Sequence, residues 1–138
     1  MAQLARFSIS LEQNLLDAFD EWIAREGYPT RSEAVKHLIR GVLVDKEWQG
    51  KGSVAGAVLL VYDHHKPDVI GKLVDIQHDH MDCTICTQHV HLDHDNCLEI
   101  ITVRGAASRI RQLLTDLRSV KGIKHATLLT TTTGAKLP

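Results

Sequence analysis

The residues best suited to chemistry in this 138-residue chain crowd into one stretch. Seven of its nine histidines lie between positions 64 and 94, and its three cysteines are Cys83, Cys86 and Cys97. An odd, clustered set of cysteines is a poor disulfide framework and a better metal or redox candidate. His89 and His91 are spaced i, i+2, so on a strand both imidazoles share one face. The polar run Asp93-His94-Asp95-Asn96 is turn-forming. A simple hairpin closed there sets Cys97 opposite His91, with Cβ atoms about 5 Å apart. Two imidazoles and one thiolate then come within reach of one ion at bond lengths of ~2.0–2.3 Å. Glu99 follows on the face of Cys97. A fourth donor is nearest at hand in Gln77-His78-Asp79-His80, at the end of a helical stretch. Two positions spaced i, i+2 on a helix point apart. Geometry alone chooses neither between His78 and His80 nor between donation within one chain and across chains. Cys83 and Cys86 form a C-x-x-C pair, read as incidental thiols with accessory metal binding and a redox dithiol as alternatives.

The elements that must position these groups follow from periodicity. Residues 54–62 read as a buried strand. Pro67 can open a helix at its first turn, and Val69, Ile70, Leu73, Val74 and Gln77 carry it to about position 80. Strands are expected over 87–92 and 97–104. A helix over 106–119 has Ile110, Leu113, Leu114 and Leu117 as its inner face, and a last strand covers 124–132. The order β-α-β-β-α-β suits a split-βαβ, ferredoxin-like domain, with helices on one face of the sheet. The other face is solvated or buried against another chain.

The first 48 residues are of another kind. Residues 6–11 alternate: Phe7, Ile9 and Leu11 share one face, and Arg6, Ser8 and Ser10 the other. Ser10 and Gln13 have capping-box spacing for a helix carrying Leu15, Leu16, Phe19, Trp22 and Ile23, stopped at Gly27. Thr30 and Glu33 form a second such box before the stripe Ala34, Val35, Leu38, Ile39, Val42 and Leu43. A lone strand needs a partner, and the nearest is the same strand of another subunit. Two copies form an antiparallel ribbon that fits a DNA major groove, with Arg6, Ser8 and Ser10 outward. Five of the six aromatic residues precede position 49, and residues 49–53 read as a flexible linker. The expected division is 1–48, a linker over 49–53, and 54–135.

Composition narrows the function classes. Sixteen basic and 17 acidic residues leave a net charge of −1, which excludes coating nucleic acid by bulk charge. The longest apolar run is about half the ~20 residues of a membrane helix. No signal peptide is visible, so a cytoplasmic protein without a membrane partner is expected.

Two resemblances sharpen this. R-F-S-I-S-L, a helix, and G-Y-P-T-R-S-E-A (27–34) resemble a ribbon-helix-helix DNA-binding domain. That implies base readout by Arg6, Ser8 and Ser10, and phosphate docking near Thr30 and Arg31, where a helix N-terminus favours anions. Q-H-D-H (77–80) followed by H-V-H-L-D-H-D-N-C-L-E (89–99) resembles the metal-binding core of NikR-type nickel-responsive regulators. These join a ribbon-helix-helix domain to an ACT domain, so the α+β fold class implied is βαα followed by βαββαβ. The resemblance implies a square-planar Ni(II) site, one ion per subunit, from His89, His91, Cys97 and His78. It also implies that His78 comes from another subunit of a homotetramer, a dimer of dimers. Repression of nickel-uptake genes at a pseudo-palindromic double-stranded operator follows from it as well. Imidazole and thiolate donors suit late transition metals, and four in-plane donors favour Ni(II) or Cu(II) over tetrahedral Zn(II). Glu33 matches one position of a second cation site reported in some relatives, but His37 stands where a carboxylate is usual.

Two rivals have different signatures. His89-Val90-His91-Leu92-Asp93-His94 also satisfies H-x-H-x-D-H, a motif of metallo-β-lactamase-type zinc hydrolases. About 40 residues after Cys97 are too few for the rest of that fold. A metal-storage module would bind the ion and ignore DNA; Arg6→Ala separates it from a repressor.

Overall fold

The structure is a computed structural model that describes residues 3–138. It divides into two compact units, Met1–Arg40 and Gly41–Pro138.

The first unit holds two helices. α1 (Gln13–Glu26) ends at Gly27, whose φ of 77° is the left-handed conformation that glycine adopts without steric cost. α2 (Arg31–Gln49) begins in this unit. Thr30 caps it as its spacing predicts, its Oγ1 accepting the Glu33 N–H at 3.1 Å. The return half of that box is absent, because the Glu33 carboxylate pairs with Lys36 at 2.7 Å. The Ser10 box is absent altogether. Gln13 is the first helical residue and Glu12 the N-cap, so Ser10 lies too far upstream. The strand expected over 6–11 is not formed in the single chain. Strand donors and acceptors need a second strand, and one copy provides none. Phe7 is 74% exposed and Ile9 69%. Within this unit only Ile23 and Ala34 are buried hydrophobics among the described residues. So small a core is marginal alone.

The second unit is the expected β-α-β-β-α-β domain. β1 (Ser53–Asp63), α3 (Val69–Asp79), β2 (Thr84–His91), β3 (Asn96–Ala106), α4 (Ala107–Arg118) and β4 (Ile123–Thr131) follow in order. The sheet order is β2-β3-β1-β4, with every neighbouring pair antiparallel. Alternate residues of β1 and β3 point into the core: Val54, Val58, Leu60 and Tyr62 from one, Cys97, Ile101 and Val103 from the other. α4 meets them with Ile110, Leu113, Leu114 and Leu117, the inner face its spacing predicts. Burying each such side chain stabilises by roughly 1.5–3 kcal/mol, so this core dominates the unit's stability. Gly56 is required by close approach, since a Cβ there would lie 2.4 Å from the Leu129 carbonyl oxygen. The last turns of α2 belong to this unit. Trp48 is buried and its indole N–H donates to the Thr131 carbonyl at 2.8 Å.

Two elements of this unit start more than one residue from where they are expected. Pro67 precedes α3 rather than opening it, because Asp68 takes a left-handed conformation (φ 63°) at the N-cap. β2 starts at Thr84, three residues early, and absorbs Cys86 across an irregularity between Thr84 and Cys86. Among the described residues no helix is long and apolar enough to cross a membrane.

Candidate metal centre and nucleic-acid face

The hairpin of β2 and β3 builds the centre. Asp93 closes it: its Oδ1 accepts the backbone N–H groups of Asp95 (2.9 Å) and Asn96 (2.8 Å). This Asx turn fixes the register, and in that register His91 lies opposite Cys97 and His89 opposite Glu99. Cys97 Sγ is 3.4 Å from His91 Nδ1, and the His89 and His91 rings sit 4.9 Å apart on the shared face.

A further histidine joins them. His64 Nδ1 is 3.3 Å from Cys97 Sγ, and donor atoms of His64, His91 and Cys97 lie within 4.8 Å of one another. His64 is not among the donors that the sequence pattern points to. Its placement depends on β1 pairing with β3, which sets Tyr62 opposite Cys97 and carries the chain past the site two residues later. The signal available in the sequence was weak, a histidine just beyond a buried strand.

Cys97 and Glu99 are buried, while His89 and His91 are exposed. Burial pushes the Cys97 thiol up, with the carboxylates of Glu99, Asp93 and Asp63 adding to the effect. Burial likewise raises Glu99, whose Oε2 is buried without a hydrogen-bond partner among the described residues. Tyr62 is raised mainly by burial, and its hydroxyl lies 3.1 Å from His89 Nδ1. That contact orients the ring and leaves Nε2 as its free nitrogen. Two donors bound to one ion at ~2.0–2.3 Å are separated by roughly 3–4.5 Å. The distances to Cys97 from His91, 3.4 Å, and from His64, 3.3 Å, fit, as does the chemistry of imidazole beside a thiol, while His89 lies outside this group of donor atoms.

The two candidates for a fourth donor part company on α3. His78 is exposed and lies outside the donor group. His80 is 4% exposed, and its Nε2 contacts Asp116 Oδ2 at 2.7 Å.

The predicted nucleic-acid residues lie in the first unit. Arg6, Ser8 and Ser10 are exposed in the extended segment before α1. Arg6 and Arg31 line one groove with Phe7, Ile9, Val35 and Ile39. Thr30 caps α2, while Arg31 is held by Asp20 through two contacts of 2.8 and 2.7 Å. That pair lowers the Asp20 carboxyl below its usual range. Glu33 takes part in no donor group among the described residues. His37 packs its ring 5.2 Å from Tyr28.

Comparison with known proteins matches the two parts of the chain to two different family models. Residues 55–131 match the NikR C-terminal nickel-binding domain, and residues 5–43 match the ribbon-helix-helix protein, copG family. A putative nickel-responsive regulator of Chlorobium limicola is 52% identical over 97% of this chain and 100% of its own length. That of Desulfovibrio desulfuricans is 50% identical over 99% of both chains, and that of Pyrococcus abyssi 47% over 97% and 98%. The chain belongs to the NikR-type nickel-responsive regulator family. Its relatives are regulators, not enzymes, which removes the zinc-hydrolase reading of the H-x-H-x-D-H motif. A solved structure of an uncharacterized protein from Thermotoga maritima covers 58% of this chain and 99% of its own, with a TM-score of 0.53. At 7% identity that similarity concerns the fold alone. The ribbon-helix-helix match spans the segment that forms no strand in a single copy.

Proposed function

We propose that this regulator is a cytoplasmic repressor of nickel-uptake genes that binds its operator when it holds Ni(II). His89, His91 and Cys97 of one subunit and His78 of another hold the ion, one per subunit, in a tetramer built as a dimer of dimers. The observation that carries the reading is the β2–β3 register, which sets the His91 and Cys97 donors 3.4 Å apart with the His89 ring beside them. His78 supports the cross-subunit part: it is exposed on α3, while its neighbour His80 is buried and held by Asp116. The ion neutralises the buried thiolate and joins imidazoles from two chains. The chain's own contribution is a β-hairpin that keeps three donors on one face and a tyrosine that orients one of them.

On the DNA side, two copies of residues 6–11 pair into a ribbon. Arg6, Ser8 and Ser10 read base edges of a pseudo-palindromic double-stranded operator, and the N-terminus of α2 at Thr30 and Arg31 docks on phosphate. The exposed Phe7 and Ile9 support pairing, since a second copy gives them a core to enter. Residues 49–53 join a DNA-binding part, 1–48, to a metal-binding part, 54–135, with Trp48 at the end of α2 anchored on Thr131. Coupling between the two is reciprocal: nickel that tightens the operator is itself tightened by the operator to the same factor.

The test is an operator gel shift with and without one equivalent of Ni(II) per chain, repeated with Cys97→Ala. Nickel-dependent retardation by the natural chain and none by the variant is the expected result. Equal retardation in all lanes sinks the reading.

A further inference from the structure

A second group of donors stands where α3 turns into β2, apart from the centre just described. One donor atom each from His80, Asp82 and Cys83 lies within 4.8 Å of the others. His80 and Cys83 are buried, 4% and 2% exposed, and Asp82 is exposed, so the group opens to solvent on the Asp82 side. His80 is the decisive member. Its Nε2 lies 2.7 Å from the Asp116 carboxylate, an acceptor only, so the ring proton is on Nε2. Nδ1 then carries a bare lone pair, and it is buried without a hydrogen-bond partner among the described residues. A buried acceptor left unpaired is costly, and native structures rarely tolerate one without a reason. A histidine that gives one N–H to a carboxylate and keeps the other nitrogen free has the arrangement of a metal-bound imidazole with its outer partner in place.

The other two donors are arranged to accept an ion. Cys83 Sγ rests 3.5 Å from the His80 carbonyl, to which its S–H donates. The turn that brings it there is held by the Cys83 N–H on the same carbonyl at 3.1 Å. Asp82 is paired with Arg109 at 2.8 and 2.9 Å, which uses one lone pair of each oxygen and leaves the others free.

We propose that His80, Asp82 and Cys83 form a second metal site, suited to Zn(II), at the junction of α3 and β2. One imidazole, one thiolate and one carboxylate match zinc's borderline softness, with a solvent molecule as the fourth ligand. Binding forms a sulfur–zinc bond and releases the Cys83 thiol proton to water. The site fastens the end of the helix that carries His78, two residues before His80. It gives Cys83 a role and leaves Cys86, exposed on β2, outside it.

The experiment loads the full-length protein with one equivalent of Ni(II), dialyses it against excess Zn(II) and then metal-free buffer, and counts both metals by mass spectrometry. One nickel and one zinc per chain are expected for the natural protein and for Cys86→Ser. Cys83→Val, close in volume, should keep the nickel and lose the zinc. Asp116→Asn, which deprives His80 of its carboxylate without touching the ion, should weaken zinc by roughly 10- to 100-fold; this second variant decides the matter if Cys83→Val does not fold. Zinc that appears only in place of nickel, or zinc retained in full by both Cys83→Val and Asp116→Asn, overturns the proposal. Because the two metals are counted separately, failure to hold nickel would be distinguished from failure here.

Discussion

His89 shows how one contact can orient a proposed metal donor. The Tyr62 hydroxyl at 3.1 Å from Nδ1 settles which nitrogen faces outward. Outer partners of this kind contribute about tenfold to hundredfold in metal affinity. Tyr62→Phe should therefore weaken nickel binding by roughly tenfold or more, read by competition with a chelator, while urea unfolding changes little beyond the lost hydrogen bond of about 1 kcal/mol. An unchanged nickel affinity would show that the ring is positioned by packing alone. The same scale separates His78 from His80. The two lie about half a helical turn apart, and burial beside Asp116 assigns His80 to the interior.

At the scale of elements, α1 and α2 share little core, and an exposed ion pair joins them. Asp20 and Arg31 make two short contacts between the helices. The folded Asp20 carboxyl is held below its ordinary value, first by the hydrogen bond from Arg31. A lowered carboxyl contributes stability above the unfolded value of about 4 and loses it as pH falls through the folded value. Asp20→Asn should thus be less stable than the natural chain at pH 7, with the gap closing as the pH drops below the ordinary aspartate range. Denaturant midpoints across that range check it. The variant also frees Arg31, so the salt slope of DNA binding should steepen by about one unit if the guanidinium then reaches a phosphate. The hairpin of β2 and β3 is the other element with a function to carry. Its period-2 pattern and its Asp93 turn were plain in the sequence, and the observed register follows from them. The start of β2 was not, because Cys83, Thr84 and Ile85 carry no turn signal, and the strand is lengthened by pairing of Thr84 with Val103 of β3.

At the scale of the whole molecule, the proposed function requires several copies of the chain. Phe7 and Ile9, with the helix residues Leu15, Leu38 and Ile39, leave a large apolar surface on the first unit. Such surface marks an interface in a folded protein. Phe7→Asp should prevent ribbon pairing, so sedimentation should report a smaller assembly than the natural protein, and operator binding should be lost. Nickel stoichiometry, which depends on the second unit, should persist. An unchanged assembly with intact DNA binding would place the interface elsewhere.

The sequence by itself determined the local elements. Period-2 runs, helical stripes and the Thr30 cap are decided by neighbours a few residues away, and so is the approach of His91 to Cys97 across a tight turn. Tertiary structure alone decided what depends on distant segments. His64 reaches Cys97 because β1 lies beside β3. His80 finds Asp116 because α4 packs against α3. The segment 6–11 stays unpaired because hydrogen bonds between strands require a second strand, which one copy does not supply.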